Sequence, residues 1–145
     1  MKITIRDRAD GEEDEIIICC RHMDEQLLKL IYAIKAGQEK ITGMKAGDIV
    51  QIAPREIYYF EAVDNKVFMY LDREVYETKL KLYELEERFK GTDFFRASKS
   101  YILNLAKVKR LSPTFNGRFE ASMKNGEKIV ISRQYVAILK EKLGL

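Results

Sequence analysis

The sequence predicts a mainly β protein with a few short helices, which is an α+β fold. Short runs of β-branched and aromatic residues recur along most of the chain, and turn-forming residues separate them. Asn116-Gly117 and Asn125-Gly126 each have the composition of a tight β-hairpin turn. Helical periodicity is confined to a few short segments. At 145 residues, the chain can bury one hydrophobic core without disulfides or a structural metal.

Residues 1–40 are predicted to form a small β-β-α lobe that serves dimerisation or control. Residues 2–6 alternate between polar and apolar side chains, and residues 16–20 are an apolar run, so both are predicted strands. The acidic residues 10–15 would form the turn between them. Asp24 can cap a following helix, whose apolar face consists of Leu27, Leu28, Ile31 and Ile34.

Residues 41–145 are predicted to form a second domain, in which short strands pack as a sandwich or barrel and helices cover them. The predicted strands lie at residues 49–52, 57–62, 66–71, 74–78, 94–97, 100–103, 119–123 and 129–131. A helix is predicted within residues 79–90, before Gly91. Another helix is predicted after Ser132, a favourable N-cap residue.

No pattern in the sequence indicates an enzyme, a metal site or a cofactor. His22 is the only histidine, and one histidine with two adjacent cysteines cannot complete a tetrahedral zinc site. The phosphate-loop, dinucleotide-binding and nucleophile-elbow motifs are missing from the sequence. Glu61 and Glu77 could in principle act on a sugar as paired carboxylates, but nothing in the sequence places them together. We therefore expect a protein without catalytic activity.

The sequence also predicts a cytoplasmic protein that is not inserted in a membrane. The longest uncharged apolar run is residues 16–20, far short of the roughly 20 residues that span a bilayer. Charged residues interrupt the N-terminus, unlike the apolar region of a signal peptide. Cys19 and Cys20 are neighbours, which is poor geometry for a disulfide. In a buried strand they would serve as small hydrophobic residues, with a redox role as the alternative.

The net charge of +3 hides an uneven distribution. Residues 1–40 and 41–95 carry net charges of −2 and −3, whereas residues 96–145 carry +8. A basic C-terminal third is what a polyanion-binding face requires, although charge that only aids solubility would look similar.

Three segments combine cations with short polar side chains, which can reach phosphate oxygens and base edges. The residues concerned are Asp64, Asn65 and Lys66 in a predicted turn, Arg96, Ser98, Lys99, Ser100 and Asn104 in one continuous segment, and Ser132, Arg133 and Gln134 at a predicted helix start. A helix N-terminus favours phosphate because its backbone N–H groups are unpaired. The alternative for each segment is an exposed charge that serves solubility.

From about residue 41 onward, the chain resembles the LytTR family of bacterial DNA-binding domains. The resemblance is carried by residues 57–61 and 65, 82–89, 95–105 and 131–135. Residues 95–105, Phe-Arg-Ala-Ser-Lys-Ser-Tyr-Ile-Leu-Asn-Leu, resemble the signature Phe-x-Arg-x-His-(Arg/Asn/Lys)-Ser-Tyr-(Leu/Ile)-Val-Asn-Leu, with Ser98 in place of the usual histidine. Residues 131–135, Ile-Ser-Arg-Gln-Tyr, are similar to the closing Val-Ser-Arg-x-Tyr of the family.

The resemblance implies an elongated β-sandwich of about ten short strands in three sheets, whose loops enter successive major grooves of a bent duplex. The family's principal base-reading positions correspond to Lys66, Lys99 and Arg133. Phosphate contacts are expected from Asn65, Arg96, Ser100 and Gln134. The aromatic residues expected in the core, rather than stacked on bases, are Tyr58, Tyr59, Phe95 and Tyr101.

The resemblance also implies a homodimer on double-stranded DNA, because family members bind paired direct repeats. Residues 1–40 are too short for the receiver domain that many members carry, so the leading hypothesis is a stand-alone transcriptional regulator. An alternative is a regulatory module that binds a membrane or regulatory protein through residues 1–40. An RNA-binding β-module is a third hypothesis, which requires Tyr58 or Tyr101 to be exposed.

Overall fold

The computed structural model describes residues 2–145 and contains ten β-strands and three α-helices within that range. The helices are α1 (Glu25–Gln38), α2 (Leu82–Arg88) and α3 (Arg133–Leu143). The strands are β1 (Ile41–Lys45), β2 (Asp48–Ile52), β3 (Tyr59–Val63), β4 (Lys66–Tyr70), β5 (Val75–Thr78), β6 (Phe94–Arg96), β7 (Tyr101–Asn104), β8 (Val108–Pro113), β9 (Phe119–Met123) and β10 (Lys128–Ile131). The predicted mainly β fold is confirmed.

The strands form two hydrogen-bonded sheets in which every pair is antiparallel. The large sheet has seven strands in the order β2-β1-β5-β4-β3-β7-β6, and the small sheet has three in the order β10-β9-β8. The expectation of three sheets is therefore wrong. Strand β3 pairs with both β4 and β7, and this pairing joins the β6–β7 hairpin to the rest of the large sheet.

Side chains alternate between the two faces of the large sheet, and each face has its own core. On one face, Met69 of β4 packs in a buried cluster with Phe60 and with Leu85 of α2. On the other face, Leu103 of β7 packs in a second buried cluster with residues of the small sheet and with Leu139 of α3. The large sheet is thus the middle layer, and it determines where the loops at its ends are placed.

The three predicted hairpin turns differ in geometry. Asp64 and Asn65 have φ angles of 49° and 64° and connect the paired residues Val63 and Lys66, so they form a tight two-residue turn. Asn116 and Gly117 are also left-handed, with φ angles of 63° and 72°, but their loop is longer, because the last pair of the two strands is Pro113 and Phe119. In Asn125-Gly126 only the glycine is left-handed, with φ 92°. The Asn-Gly signal located this last turn correctly, but the turn is longer than the tight type.

The predicted β-β-α lobe is wrong in its two strands. Residues 2–6 and 16–20 have no strand structure, whereas the helix of the lobe is present as α1. Ile3 and Ile17 are 83% and 73% exposed. A two-stranded hairpin with no third strand or core against it is only marginally stable, which explains the difference. We call residues 2–23 the N-terminal arm.

Two further predictions about this region have opposite outcomes. Cys19 and Cys20 are exposed free thiols, so the prediction that they are buried in a strand is wrong. Asp24 caps α1 as predicted, because its Oδ1 accepts a hydrogen bond from Leu27 N–H at 2.7 Å. The Asp24 cap needs only a backbone N–H three residues away. The two strands would need a packing partner, and the arm has none in the described chain.

Candidate nucleic-acid interface

The Arg96 side chain holds the loop of residues 97–100, between β6 and β7. Its Nε donates to Ser98 O at 2.7 Å, and its Nη2 donates to Lys99 O at 2.8 Å. Its Nη1 donates to a carboxylate oxygen of Glu86 on α2 at 3.0 Å. The sequence predicts a phosphate contact for Arg96. That contact stays a prediction, and in the structure the side chain is 16% exposed and its hydrogen bonds organise the backbone of the loop.

Two other hydrogen bonds fix the same loop. Ser98 Oγ, at the position of the family's usual histidine, accepts from Ser100 N–H at 3.2 Å. Ser100 O accepts from Ala62 N–H on β3 at 2.8 Å. Lys99 lies between the two serines, and it is exposed. The loop therefore presents a lysine side chain on a backbone that is held at both ends.

The loop also contacts the start of α3. Ala97 O accepts from Ser132 N–H at 2.8 Å and from the Ser132 hydroxyl at 3.3 Å. Ser132 is the N-cap residue by position, as predicted, but its hydroxyl bonds to Ala97 and not to the helix. Arg133 and Gln134 follow it and are exposed. The two basic segments, far apart in sequence, therefore lie side by side.

The Arg133 stem lies against the turn between β8 and β9. A Cβ atom built on Gly117 would come within 3.3 Å of Arg133 Cδ. Gly117 also has φ 72°, a conformation that strains other residues. A glycine at this position thus allows both the turn and the close approach of the arginine.

The Asp64-Asn65 turn lies at the same end of the large sheet as the Lys99 loop. Lys66 begins β4 and pairs with Val63 of β3. The neighbouring Ala62 bonds to the loop on the other side of β3. Strand β3 therefore separates Lys66 from the Lys99 loop by two strand spacings, roughly 10 Å. The structure brings together the three segments predicted from the sequence, except for Asn104, which is 3% exposed at the other end of β7 and donates to Ile57 O at 2.8 Å.

Two lysines at this end were not identified from the sequence. Lys81 Nζ donates to Asn65 O at 3.2 Å. The β4–β5 register pairs Val67 with Thr78. Extending this register by one residue places Lys79, which follows β5, beside Lys66. Neither lysine is near the turn in sequence, so the antiparallel pairing is the only signal that locates them.

Below this end, two tyrosines hold the Glu61 carboxylate. The hydroxyls of Tyr70 and Tyr101 donate to its two oxygens at 2.9 and 2.8 Å. Burial, and then the hydrogen bond to Glu61, raises the pKa of both Tyr70 and Tyr101 to about 12. Glu61 and Glu77 lie in one cross-strand row on either side of Phe68. Because both oxygens of Glu61 accept from phenols, this carboxylate serves the fold.

The aromatic residues predicted as core are buried or half-buried. Tyr58, Tyr59 and Phe95 are 9%, 5% and 4% exposed, and Tyr101 is half-buried. The Tyr59 and Tyr70 rings stack with their centroids 4.4 Å apart. These rings are therefore not available as platforms for unpaired bases, which argues against the RNA-binding hypothesis.

Residues 2–145 contain neither a metal-binding cluster nor a membrane-spanning helix. Within residues 2–145, no group of three or more His, Cys, Asp and Glu side chains is arranged to hold a metal ion. Over the same range, no helix combines the length and the apolar character needed to cross a membrane. His22 is exposed, beyond the N-terminus of α1.

Comparisons with known proteins agree with this geometry. Residues 47–144 match the family model of the LytTr DNA-binding domain. A solved LytTr DNA-binding domain from Bacillus cereus superimposes with a TM-score of 0.71 and 26% sequence identity, covering 75% of this chain and all of that one.

Relatives of two kinds match in sequence. The sensory transduction protein LytT of Enterococcus faecalis is 34% identical over 97 residues, which are 67% of this chain and 40% of that protein. The chain therefore spans less than half the length of this relative. A Staphylococcus aureus protein named as an uncharacterised HTH-type transcriptional regulator is 26% identical over 147 residues, covering 100% of this chain and 99% of its own. The match over residues 47–144 and the shared fold show that the chain belongs to the LytTR family of DNA-binding domains.

Proposed function

We propose that this protein is a sequence-specific transcriptional regulator that binds double-stranded DNA through three elements at one end of the molecule. These elements are the turn before Lys66, the loop of Lys99 and the start of α3 at Arg133. The observation that carries the proposal is the pair of hydrogen bonds from Ser132 to Ala97 O, at 2.8 and 3.3 Å. It supports a single DNA-binding surface made from segments that are distant in sequence.

The residues at this surface have different proposed roles. Lys66, Lys99 and Arg133 read bases in successive major grooves, because cationic side chains bind the acceptor edge of guanine. Asn65, Ser100 and Gln134 contact phosphates, which fixes the protein on the duplex. Lys79 and Lys81 join this phosphate-binding set. Arg96 acts as a positioning residue, since its three hydrogen bonds hold the loop that carries Lys99.

We further propose that two copies bind direct repeats spaced by about one helical turn. Each copy would place its basic end on the same side of the duplex. Such a protein works in the cytoplasm, where bacterial DNA lies, and the role needs neither catalysis nor a cofactor. A protein-binding role for residues 1–40 stays a prediction.

Fluorescence anisotropy with the purified full chain tests the proposal. The protein would first select duplexes from a random pool, and the labelled selected duplex would then be compared with a scrambled one over a salt series. We expect tight binding to the selected duplex, weaker binding to the scrambled one, and affinity that falls as salt rises. Equal binding to both duplexes at every salt concentration would contradict sequence-specific recognition.

Single substitutions then test the three reading elements. We expect Lys99→Ala and Arg133→Ala each to cost about 1–3 kcal/mol on the selected duplex and to relax base preference. Lys29→Ala, at an exposed position of α1, is the matched control, and it should leave both unchanged. If the Lys99 and Arg133 variants bind like the control, the assigned DNA-binding surface is wrong.

A further inference from the structure

One face of the large sheet is covered over only part of its width. The small sheet and α3 pack on this face beside β3 and β7, where Tyr59 and Leu103 are buried. A paired row of residues crosses the same face toward the other edge, in the order Glu61, Phe68, Glu77, Met44 and Ile49. At that edge Ile49 is 72% exposed. Strands β2 and β1 thus present an open face that carries an isolated large apolar side chain.

Next to this face, a hollow of about 340 Å³ lies between the start of β1 and the segment that follows β5, beside Arg88 of α2. It combines three apolar side chains with three cations, which are Met44, Ile49 and Leu80, and Lys40, Lys79 and Arg88. No acidic side chain lines it. Arg88 pairs with Glu39 at 3.6 Å. Across residues 2–145, neither Lys40 nor Lys79 has a carboxylate within 4 Å. The hollow therefore suits a segment that is both acidic and apolar.

The N-terminal arm has this complementary chemistry. Glu12 and Glu15 pair with Arg8. Between them, Glu13 and Asp14 have no cation within 4 Å in the part of the chain that the structure describes. Three isoleucines follow directly, and Ile16, Ile17 and Ile18 are 64%, 73% and 38% exposed. The two unpaired carboxylates followed by isoleucines are therefore complementary to the two unpaired lysines and the apolar side chains of the hollow.

We propose that the arm of one chain docks in the hollow of a second copy, so that two copies form a symmetric dimer. In this dimer Glu13 and Asp14 pair with Lys40 and Lys79, and the isoleucines cover Met44, Ile49 and Leu80.

The exposure of the arm's isoleucines favours exchange between copies over docking within one chain. The arm joins the N-terminus of α1, whereas Lys40 lies past its C-terminus. A helix of 14 residues is about 20 Å long. Docking within one chain would need the arm to run back along this helix, whereas in the structure its isoleucines are exposed. Lys79 lines the hollow and also belongs to the proposed phosphate-binding set, so the dimer is tested as association without DNA, a measurement that does not require the DNA-binding function.

Sedimentation equilibrium of the full chain without DNA tests this proposal. We expect an average mass that rises with concentration toward twice the 17.0 kDa of one chain. Reversing the charges on either side, with Glu13→Lys and Asp14→Lys or with Lys40→Glu and Lys79→Glu, should give a monomer. The chain that carries all four changes should dimerise again. Lys109→Glu with Lys124→Glu, at exposed positions of the small sheet and its hairpin, is the control for altered charge.

Some outcomes would overturn the proposal. A wild-type chain that stays monomeric at every concentration would exclude the dimer and leave docking within one chain as the alternative. Reversal variants that still dimerise would place the interface elsewhere. Circular dichroism would verify that each variant is folded.

Disulfide trapping gives a second, independent measurement. Cys19 directly follows the isoleucines of the arm, so Ile49→Cys should form a disulfide with Cys19 of another copy and double the mass on a non-reducing gel. The wild type, which keeps the exposed Cys19 and Cys20 but has no cysteine at position 49, should lack this band, and so should Ile49→Cys combined with Cys19→Ser and Cys20→Ser. A band that persists in the combined variant, or one that never forms, would contradict the proposed docking.

Discussion

Ala97 O accepts two hydrogen bonds from Ser132, one from the backbone N–H at 2.8 Å and one from the hydroxyl at 3.3 Å. This contact joins the loop after β6 to the residue before α3. The cation of the loop, Lys99, and the first residue of the helix, Arg133, thus have a defined relative position. The proposed DNA-binding surface depends on this contact, because it fixes two of the three elements relative to each other.

Ser132→Pro tests the contact directly. The φ angle of Ser132 is −68°, which proline adopts without strain, but proline has neither the N–H nor the hydroxyl that donates to Ala97 O. Losing one hydrogen bond costs about 0.5–1.5 kcal/mol net, so losing the pair should lower specific DNA affinity by at least roughly two- to twelvefold. Ser132→Ala keeps the N–H and should weaken binding less. Anisotropy titrations measure both variants, and equal affinities for the two would mean that the N–H contact does not position the surface.

Arg96→Lys distinguishes a positioning role from a direct phosphate contact. Lysine keeps the positive charge, but a single ammonium group cannot bond Ser98 O, Lys99 O and Glu86 in the forked geometry of a guanidinium. A positioning role predicts a loss of preference for the selected duplex over the scrambled one. A direct phosphate contact predicts nearly unchanged binding, because lysine also binds phosphate. Comparing the two duplexes separates these outcomes, and preserved preference would contradict the positioning role.

Lys81→Ala tests the lysines that the structure adds to the surface. Lys81 Nζ lies 3.2 Å from Asn65 O, beside the turn that carries Lys66. A phosphate contact there predicts equally weaker binding to selected and scrambled duplexes, with the slope of log affinity against log salt reduced by about 1. Lys29→Ala again provides the control. A Lys81→Ala variant that changes base preference but not the salt slope would assign this lysine to base reading instead.

The tyrosine pair predicts a loss of stability in alkaline solution. Burial, and next the bond to Glu61, raises the pKa of Tyr70 and of Tyr101 to about 12, above the ordinary value of 10.0. The folded state therefore prefers the neutral phenols. Their contribution is complete below pH 10 and is lost as the pH rises toward 12. Urea unfolding at a series of pH values should show this decline.

Phenylalanine variants identify the groups responsible for that decline. Tyr70→Phe and Tyr101→Phe each remove a titrating hydroxyl, so the fall in unfolding free energy between pH 10 and 12 should become shallower. Tyr83→Phe, at a position that is 71% exposed, is the control and should follow the wild type. Identical pH dependence in all three variants would show that other groups cause the alkaline loss.

Local chemistry in the sequence determined many features of this protein. The cap at Asp24 and the left-handed turn at Asp64-Asn65 depend on only a few neighbouring residues, and both formed as predicted. Short apolar runs identified the strands from β2 onward except β8 (Val108–Pro113), because each strand has a sheet face to bury. The basic clusters within residues 95–105 and at the start of α3 were also identified from the sequence, because the residue types themselves carry the chemistry.

Tertiary structure decided what the chain does with those segments. The N-terminal arm has the pattern of two strands, but without a surface in its own chain to cover its isoleucines it remains extended and exposed. Arginine is a residue type that contacts phosphates, but within the fold the Arg96 guanidinium donates hydrogen bonds to Ser98 O, Lys99 O and Glu86. Lys81 became part of the surface only through its contact with Asn65 O. Patterns in sequence predict structure where the partners are near in the chain, whereas contacts between distant residues depend on the packing of the whole sheet.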